Sequence, residues 1–203
     1  MPALNESKIS STFISYLSNF DLSNAQIEKI IAIGNIRQVK NNTLLVRHNS
    51  ICDKAYFLFE GVFISRFIDE EKEISKAVFF YLENFHSFFT CTDGFFSGKP
   101  TNCELRAIKD AIVIEFSLDD INNIVKDDIG LFRFYFNVVC RGLLEENELK
   151  SKIITESSEN LFKYLTTEYP LLIKSVSSKY IAEFMGITPE WLSKIRKIKN
   201  SQG

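Results

Sequence analysis

The sequence predicts an α+β protein: an N-terminal double-stranded β-helix (jelly roll) with flanking helices, then one long helix, then a C-terminal helix-turn-helix. Three observations carry this. Across residues 36–116, short β-branched and aromatic runs alternate with polar turns. Over residues 129–154 the apolar spacing lengthens to that of a helix. Residues 177–197 read as two short helices hinged at Gly186. A period near two marks a strand with one buried face, and a period near 3.6 marks a helix with a buried stripe.

Taken in order, Ile9, Phe13, Tyr16, Leu17 and Phe20 lie at helical spacing within residues 9–20, and Ile27, Ile30 and Ile31 share one side of residues 23–32. Two short helices therefore open the chain. Strands are expected at 36–39, 43–46, 55–59, 62–68 and 74–82, with Asn41-Asn42, Glu60-Gly61 and residues 69–72 as turns. The strand pattern continues through 85–96, turns at Ser97-Gly98-Lys99-Pro100, and resumes at 103–108 and 111–116. Roughly eight short strands at such spacing fit a sandwich or jelly roll. The phenylalanines between Phe57 and Phe96 are read as a bulky core between two sheets rather than as an aromatic ligand box.

Ser117 then caps a helix over 118–126. In the long helix, Phe132, Phe136, Val139 and Leu143 form the seam of a helix that pairs with another. Leu131, Tyr135 and Val138 flank that seam and widen the apolar face enough to meet the roll as well. Residues 157–168 and 171–176 follow, broken at Pro170. In the last element Ala182 permits close helix approach, Gly186 suits the positive φ that follows a helix, and Thr188 suits an N-cap with Pro189 at the first helical position. Trp191 or Leu192, Ile195 and Ile198 form its inward set. Glu190, Ser193, Lys194, Arg196 and Lys197 form its outward set. A plain helical hairpin would share this spacing, so charge has to separate the two. Residues 177–203 hold five Lys/Arg against two acidic residues, leaving nineteen basic against twenty-four acidic residues in 1–176. A basic end on an acidic body suits contact with phosphates by that end alone.

With 203 residues, 45% hydrophobic and 25% charged, the chain has room for two modest cores. No apolar run reaches the roughly 18 to 20 residues of a membrane span, and residues 1–10 lack the charged and apolar blocks of a signal peptide. A cytoplasmic protein with no membrane partner is expected. Cys52, Cys91, Cys103 and Cys140 are scattered without a Cys-x-x-Cys pair, so they are read as buried free thiols rather than as zinc ligands or a disulfide framework. His48 and His86 are too few for a metal-loaded jelly-roll enzyme, and no Ser-His-Asp or Cys-His arrangement is suggested. The chain is not expected to be an enzyme.

Roll, long helix and helix-turn-helix in this order resemble the Crp/Fnr family of transcriptional regulators, that of the cyclic AMP receptor protein and the fumarate and nitrate reduction regulator. The most specific residues are Asp53-Lys54-Ala55-Tyr56-Phe57-Leu58-Phe59-Glu60-Gly61, similar to a strand and Gly turn of the family, and residues 180–197, similar to its DNA-binding core. The resemblance implies a homodimer paired through the long helix, a pseudo-palindromic double-stranded DNA operator, and transcription regulation through RNA polymerase. It divides the chain into a cyclic-nucleotide-binding-like sensor (1–128), a dimerisation helix (129–155) and a DNA-binding unit (156–203).

By the same resemblance, Thr188, Pro189, Glu190 and Lys194 stand at the front of the recognition helix, with Ser193 on the same outward side. Ser178, Lys179, Arg196, Lys197 and Lys199 are of the type that holds phosphates. Ligand-responsive relatives carry a Gly-Glu for the ribose hydroxyl and, about ten residues later, an Arg-Ser or Arg-Thr for the cyclic phosphate. Here Cys91-Thr92 falls near the first and Thr101-Asn102 at the second, so the candidate effector pocket lacks both charges. Cyclic AMP is not expected to bind, because a desolvated phosphate needs a guanidinium or equivalent partner. No cofactor is assigned. Arg106, in the next strand, is read as a partner in a salt bridge. An iron-sulfur sensor of this family uses cysteines near the N-terminus, whereas the first cysteine here is Cys52. Pro189 replaces an arginine found in some relatives. With the chain ending at Gly203, the β wing after the helix-turn-helix is expected to be absent or truncated. The rival reading is a small-ligand-binding module that signals through protein partners without DNA readout.

Overall fold

The computed structural model describes residues 6–83 and 86–198, together with the backbone of 199 and 200. Helices α1 (Glu6–Leu17) and α2 (Asn24–Ala32) open the described chain. Eight strands follow within the described residues: β1 (Asn35–Val39), β2 (Leu44–Val46), β3 (Lys54–Glu60), β4 (Val62–Asp69), β5 (Ile74–Leu82), β6 (Phe88–Phe89), β7 (Cys103–Ala107) and β8 (Ala111–Ser117), with α3 (Thr92–Ser97) between β6 and β7. They form two antiparallel four-stranded sheets, ordered β1-β8-β3-β6 and β2-β7-β4-β5. This is the expected α+β jelly roll.

Side-chain alternation fixes the sheets' two faces. In β3, Tyr56 and Leu58 enter the core shared by both sheets with Phe63, Phe80 and Leu105. Phe57, one position out of phase, joins Ile114 and Phe116 in a second core beneath α1. There the Phe13 and Phe57 ring centroids are 4.7 Å apart. A one-residue slip of β3 would exchange the two sets, so each core fixes the register for the other.

The expected strand at 85–96 is replaced by the two-residue β6 and the helical turn α3, while Phe85 lies outside the described residues. The cause lies in the side chains. Asp93 in the first turn of α3 accepts hydrogen bonds from the segment after the turn, and Gly94 lets the two segments approach. A Cβ at Gly94 would stand 2.9 Å from the Thr101 Cβ.

Helix α4 (Leu118–Val125) begins at the Ser117 N-cap, as expected. The long helix α5 (Ile129–Thr155) is seated by Asp128, whose carboxylate accepts from the Gly130 and Leu131 N–H groups. The same carboxylate accepts from Gln26 at 2.7 Å and pairs with Lys29 at 3.1 Å. Gln26 in turn belongs to the Ser23 capping box of α2, so α5 starts from a fixed point on the opening helices.

Helices α6 (Ser158–Glu168), α7 (Pro170–Ser175), α8 (Ser178–Phe184) and α9 (Pro189–Asn200) complete the described chain. Pro170 stands at the start of α7, where its missing N–H costs nothing. The apolar faces of these helices are continuous with the roll's core, and the Phe80 and Phe184 ring centroids are 5.3 Å apart.

Candidate nucleic-acid interface and effector site

Helices α8 and α9 form a compact pair joined at Gly186, whose φ is +68°. The Ile187 N–H reaches back to the Ala182 carbonyl at 3.0 Å, closing α8 in a tight left-handed turn. Ser177 caps α8 by accepting from the Tyr180 N–H, and Thr188 caps α9 by accepting from the Trp191 N–H at 3.2 Å. Ala182 is fully buried against this junction. On α9 the inward residues are Leu192 and Ile195, at 0% and 4% exposure. Of the alternatives for the inward set, Leu192 takes the place and Trp191 stays outside. Ile198 corrects the expectation: it is 48% exposed, whereas Leu192 and Ile195 earlier on the same stripe of α9 are buried.

The outward residues Thr188, Pro189, Glu190, Ser193, Lys194 and Lys197 are all exposed, as are Ser178 and Lys179 on α8. Glu190, Lys194 and Lys197 follow one another at helical spacing and form one polar stripe. The Lys194 ammonium stands 5.8 Å over the Trp191 ring, which steers it along that stripe. Arg196 is placed differently. It donates to the Ser178 hydroxyl at 2.7 Å and lies over the Phe162 ring at 5.7 Å, bracing α9 against α8 and α6. The Lys199 side chain and residues 201–203 lie outside the described residues.

On α5 the seam is mostly open. Phe132, Phe136 and Leu143 are 46%, 56% and 55% exposed, and Val139 is half-buried. The Phe132 and Phe136 rings stack 6.3 Å apart. Of the helix's twenty-seven residues, only Leu131 and Leu149 are buried, while Phe134 and Ile153 pack partly buried against the cores and Phe132, Phe136, Leu143 and Leu144 are presented to solvent.

Two of the four candidate effector residues, Thr101 and Asn102, meet at a carboxylate that sequence reasoning missed. Asp93 accepts from the Thr101 hydroxyl at 2.5 Å and from the Asn102 N–H at 2.8 Å. Thr101 is buried, and its oxygen also accepts from the Cys103 N–H. The Thr101 hydroxyl and the Asn102 N–H are thus both occupied by an internal anion. Cys91 is buried at the start of α3, and Thr92 beside it is exposed. Arg106 pairs with Glu104 at 3.3 Å and donates to the Asn42 carbonyl.

An apolar cavity of about 140 Å³ lies between α5 and the β6–α3 segment. Phe88, Phe89, Phe95 and Phe96 supply one wall, while Val138, Val139 and Leu143 of α5 supply another. Part of the phenylalanine-rich stretch therefore borders open space rather than only packing between sheets. Glu146 and His86 are its principal polar groups. Burial raises the Glu146 carboxyl above its usual range and lowers the His86 imidazole to about 4. The Glu145 carboxylate, 3.3 Å from His86 Nε2, pulls the other way, but it is 43% exposed and burial outweighs it. No single sequence feature marks this cavity, because its lining comes from eight elements.

No group of three or more His, Cys, Asp or Glu is placed to hold a metal ion among the described residues. No described helix is long and apolar enough to cross a membrane. No model of a known protein family matches the sequence, and no curated protein matches it. Solved structures do match in fold. FixK2 from Bradyrhizobium japonicum is 14% identical, with 84% of this chain and 86% of that one covered at a TM-score of 0.69. A putative transcriptional regulator of the Crp/Fnr family from Eubacterium rectale is 15% identical, with 92% and 87% covered at 0.66. CLP from Xanthomonas campestris, a c-di-GMP responsive global regulator, is 13% identical, with 89% and 93% covered at 0.64. The chain has the fold of the Crp/Fnr regulators.

Proposed function

We propose that this chain is a homodimeric, sequence-specific DNA-binding transcription regulator, with residues 1–128 as sensor, 129–155 as dimerisation helix and 156–203 as DNA-binding unit. The observation that carries the reading is α9. Its apolar residues Leu192 and Ile195 are fully used inside the protein, while Glu190, Ser193, Lys194 and Lys197 remain exposed along one side. A helix so divided suits the major groove, with Glu190 accepting from a cytosine amino group and Lys194 donating to guanine O6 or N7. Lys179 and Lys197 suit phosphates, and Ser178 with Arg196 suits holding α8 and α9 together beside them. Two copies brought together along Phe132, Phe136, Val139 and Leu143 would present two such helices about one duplex turn, or 34 Å, apart. Regulation through RNA polymerase belongs to the same reading.

The sensor reading departs from cyclic nucleotides. With Asp93 already accepting from Thr101 and Asn102, a phosphate arriving there would meet a carboxylate and no guanidinium, which opposes binding twice over. The apolar cavity instead favours an uncharged, largely apolar effector, with Glu146 and His86 as its polar contacts. The same cavity is what favours the rival reading, a ligand-binding module working through protein partners.

Fluorescence anisotropy with DNA selected from a random pool tests the first reading. Binding should be stronger than to random duplex and fall steeply with salt. Lys194→Ala should relax base preference at one position of the half-site, and Lys197→Ala should reduce the salt slope by about one at unchanged preference. Equal affinity for selected and random DNA, with no effect of Lys194→Ala, overturns it in favour of the module.

A further inference from the structure

The inner face of the β1-β8-β3-β6 sheet changes character toward one end of the roll. Val39, Val113 and Leu58 are buried in the core on that face, and the two-residue period of the strands carries it on to Arg37, Glu115 and Tyr56, and from Tyr56 to Lys54. Three charged groups thus stand where apolar side chains would extend the core. A polar group in such a place needs a cause.

Part of the cause is internal. Arg37 Nη1 and Lys54 Nζ donate to separate oxygens of the Glu115 carboxylate, each at 2.9 Å. Burial pushes the Glu115 carboxyl up, but these two bonds outweigh it and hold it below its usual range, so the acid stays ionised. Two cations on one carboxylate leave one positive charge unbalanced. Asp53, the other acid beside this cluster, is exposed, and water screens its charge.

The rest of the cause is unmet. Arg37, Lys54, Glu115 and Tyr56 border a second cavity, of about 290 Å³, with Leu45 and Val46 of β2 among its other walls. Tyr56 is 2% exposed, and its ring lies against that of Phe89 with centroids 5.3 Å apart. Among the described residues nothing hydrogen-bonds its hydroxyl. Burial raises that hydroxyl above its ordinary range, so it keeps its proton and stands as a donor. A buried hydroxyl without a partner is costly. The N–H groups that Arg37 and Lys54 do not spend on Glu115 also have no acceptor among the described residues. Donors from three side chains therefore meet at one opening, where both oxygens of the buried acid are already taken.

We propose that this cavity binds a small monovalent carboxylate, with Arg37 and Tyr56 donating to its two oxygens and Lys54 adding its charge. A monoanion matches the unbalanced charge, whereas a dianion would bring one more negative charge than the cluster neutralises. The free edge of the Arg37 guanidinium suits a planar two-oxygen acceptor. Leu45 and Val46 give a short alkyl tail an apolar border. The site shares no lining residue with the apolar cavity beside α5, and it stands whether or not the chain reads DNA.

The test titrates the full-length protein with propionate, at an ionic strength fixed with sodium chloride, and reads saturation-transfer NMR on the ligand methyl signal. Saturable transfer is expected for propionate and none for propionamide, its uncharged isostere. Inorganic phosphate, largely a dianion above neutral pH, should displace propionate poorly. Tyr56→Phe removes one donor and keeps the ring against Phe89, so it should weaken binding about fivefold; Arg37→Gln should weaken it at least about tenfold. A thermal melt of each variant shows that it is folded. Transfer that does not saturate, equal transfer to propionamide, or unchanged affinity in both folded variants overturns the proposal and leaves water as the partner of Tyr56. Displacement by phosphate at equal concentration overturns the choice of a carboxylate.

Discussion

Arg66 on β4 and Glu183 on α8 join the roll to the two-helix unit, and replacing Arg66 with Ala measures what that junction is worth. The Arg66 Nη2 and Nη1 atoms donate to Glu183 Oε1 and Oε2 at 2.8 and 3.1 Å, a two-pronged geometry that is the strongest form of this pair. Arg66 also donates to the Ser75 carbonyl at 3.0 Å and lies over the Tyr180 ring at 5.6 Å. The two side chains are only 16% and 18% exposed. Arg66→Ala leaves Glu183 facing the roll without its partner. A fully buried pair broken this way costs about 3–5 kcal/mol, and the residual solvent here reduces that to about 2–4 kcal/mol. Glu183→Gln keeps one acceptor for Arg66 and should cost about 1–2 kcal/mol. Urea unfolding at a fixed protein concentration reads both values, and the Arg66→Ala/Glu183→Ala double-mutant cycle should return a coupling of about 2 kcal/mol. Additive single substitutions, or an Arg66→Ala cost below about 0.5 kcal/mol, would show that apolar contacts such as Phe80 with Phe184 hold the junction alone.

Two further outcomes follow from the same structure. His86 has a folded-state pKa lowered by burial to about 4 from 6.5, so between those values the unfolded chain binds more protons; stability should be complete above pH 6.5 and fall as pH drops toward 4, by up to about 3 kcal/mol. His86→Gln should flatten that part of a pH series of urea midpoints, and an unchanged slope contradicts the assignment. Phe136→Glu places a charge on a residue that is 56% exposed on α5; sedimentation should change from dimer to monomer with at most about 0.5 kcal/mol lost from monomer stability, and an unaltered dimer would place the interface elsewhere.

What the sequence made legible was whatever depends on near neighbours in the chain. Ser117 and Thr188 each cap the helix they precede, and Gly186 takes the positive φ that its place between two helices implies. These are local rules, and one sequence suffices to apply them. Most of the failures depend on partners distant in sequence. The segment containing Phe88 and Phe95 has a strand's composition, yet Asp93 and Gly94 turn it into a helix because Thr101 and Asn102 come back to meet them. Ile198 continues the helical stripe of Leu192 and Ile195, yet it is 48% exposed where they are buried. Arg196 looks like a phosphate contact by type, and only the position of Ser178 across the junction shows that its guanidinium is engaged within the protein. The apolar cavity follows the same logic, being made where eight elements fail to fill the space between them.

Helix α5 has one apolar face for two demands, and two residues serve both. Val139 and Leu143 belong to the seam through which we propose dimerisation, and they also line the cavity that we propose as the effector site. If both proposals hold, a molecule in the cavity touches side chains whose other contacts lie across the dimer. Occupancy and pairing must then be linked, and the linkage is reciprocal: whatever factor the ligand applies to the dimer constant, dimerisation applies to the ligand constant. N-phenyl-1-naphthylamine, an uncharged aromatic amine, is a suitable probe because its fluorescence reports an apolar site and its N–H matches Glu146. Its affinity should change as the protein is diluted through the dimer constant, typically by about 5- to 150-fold. The dimer constant measured by sedimentation should move by the same factor when the probe is saturating. The sulfonated analogue should bind more weakly, since its anion would sit beside Glu146 with no cation among the cavity's lining residues. Probe binding that is identical in wild type and Phe136→Glu would show that cavity and seam are independent, and would leave the effector with no route to the paired α9 helices through α5.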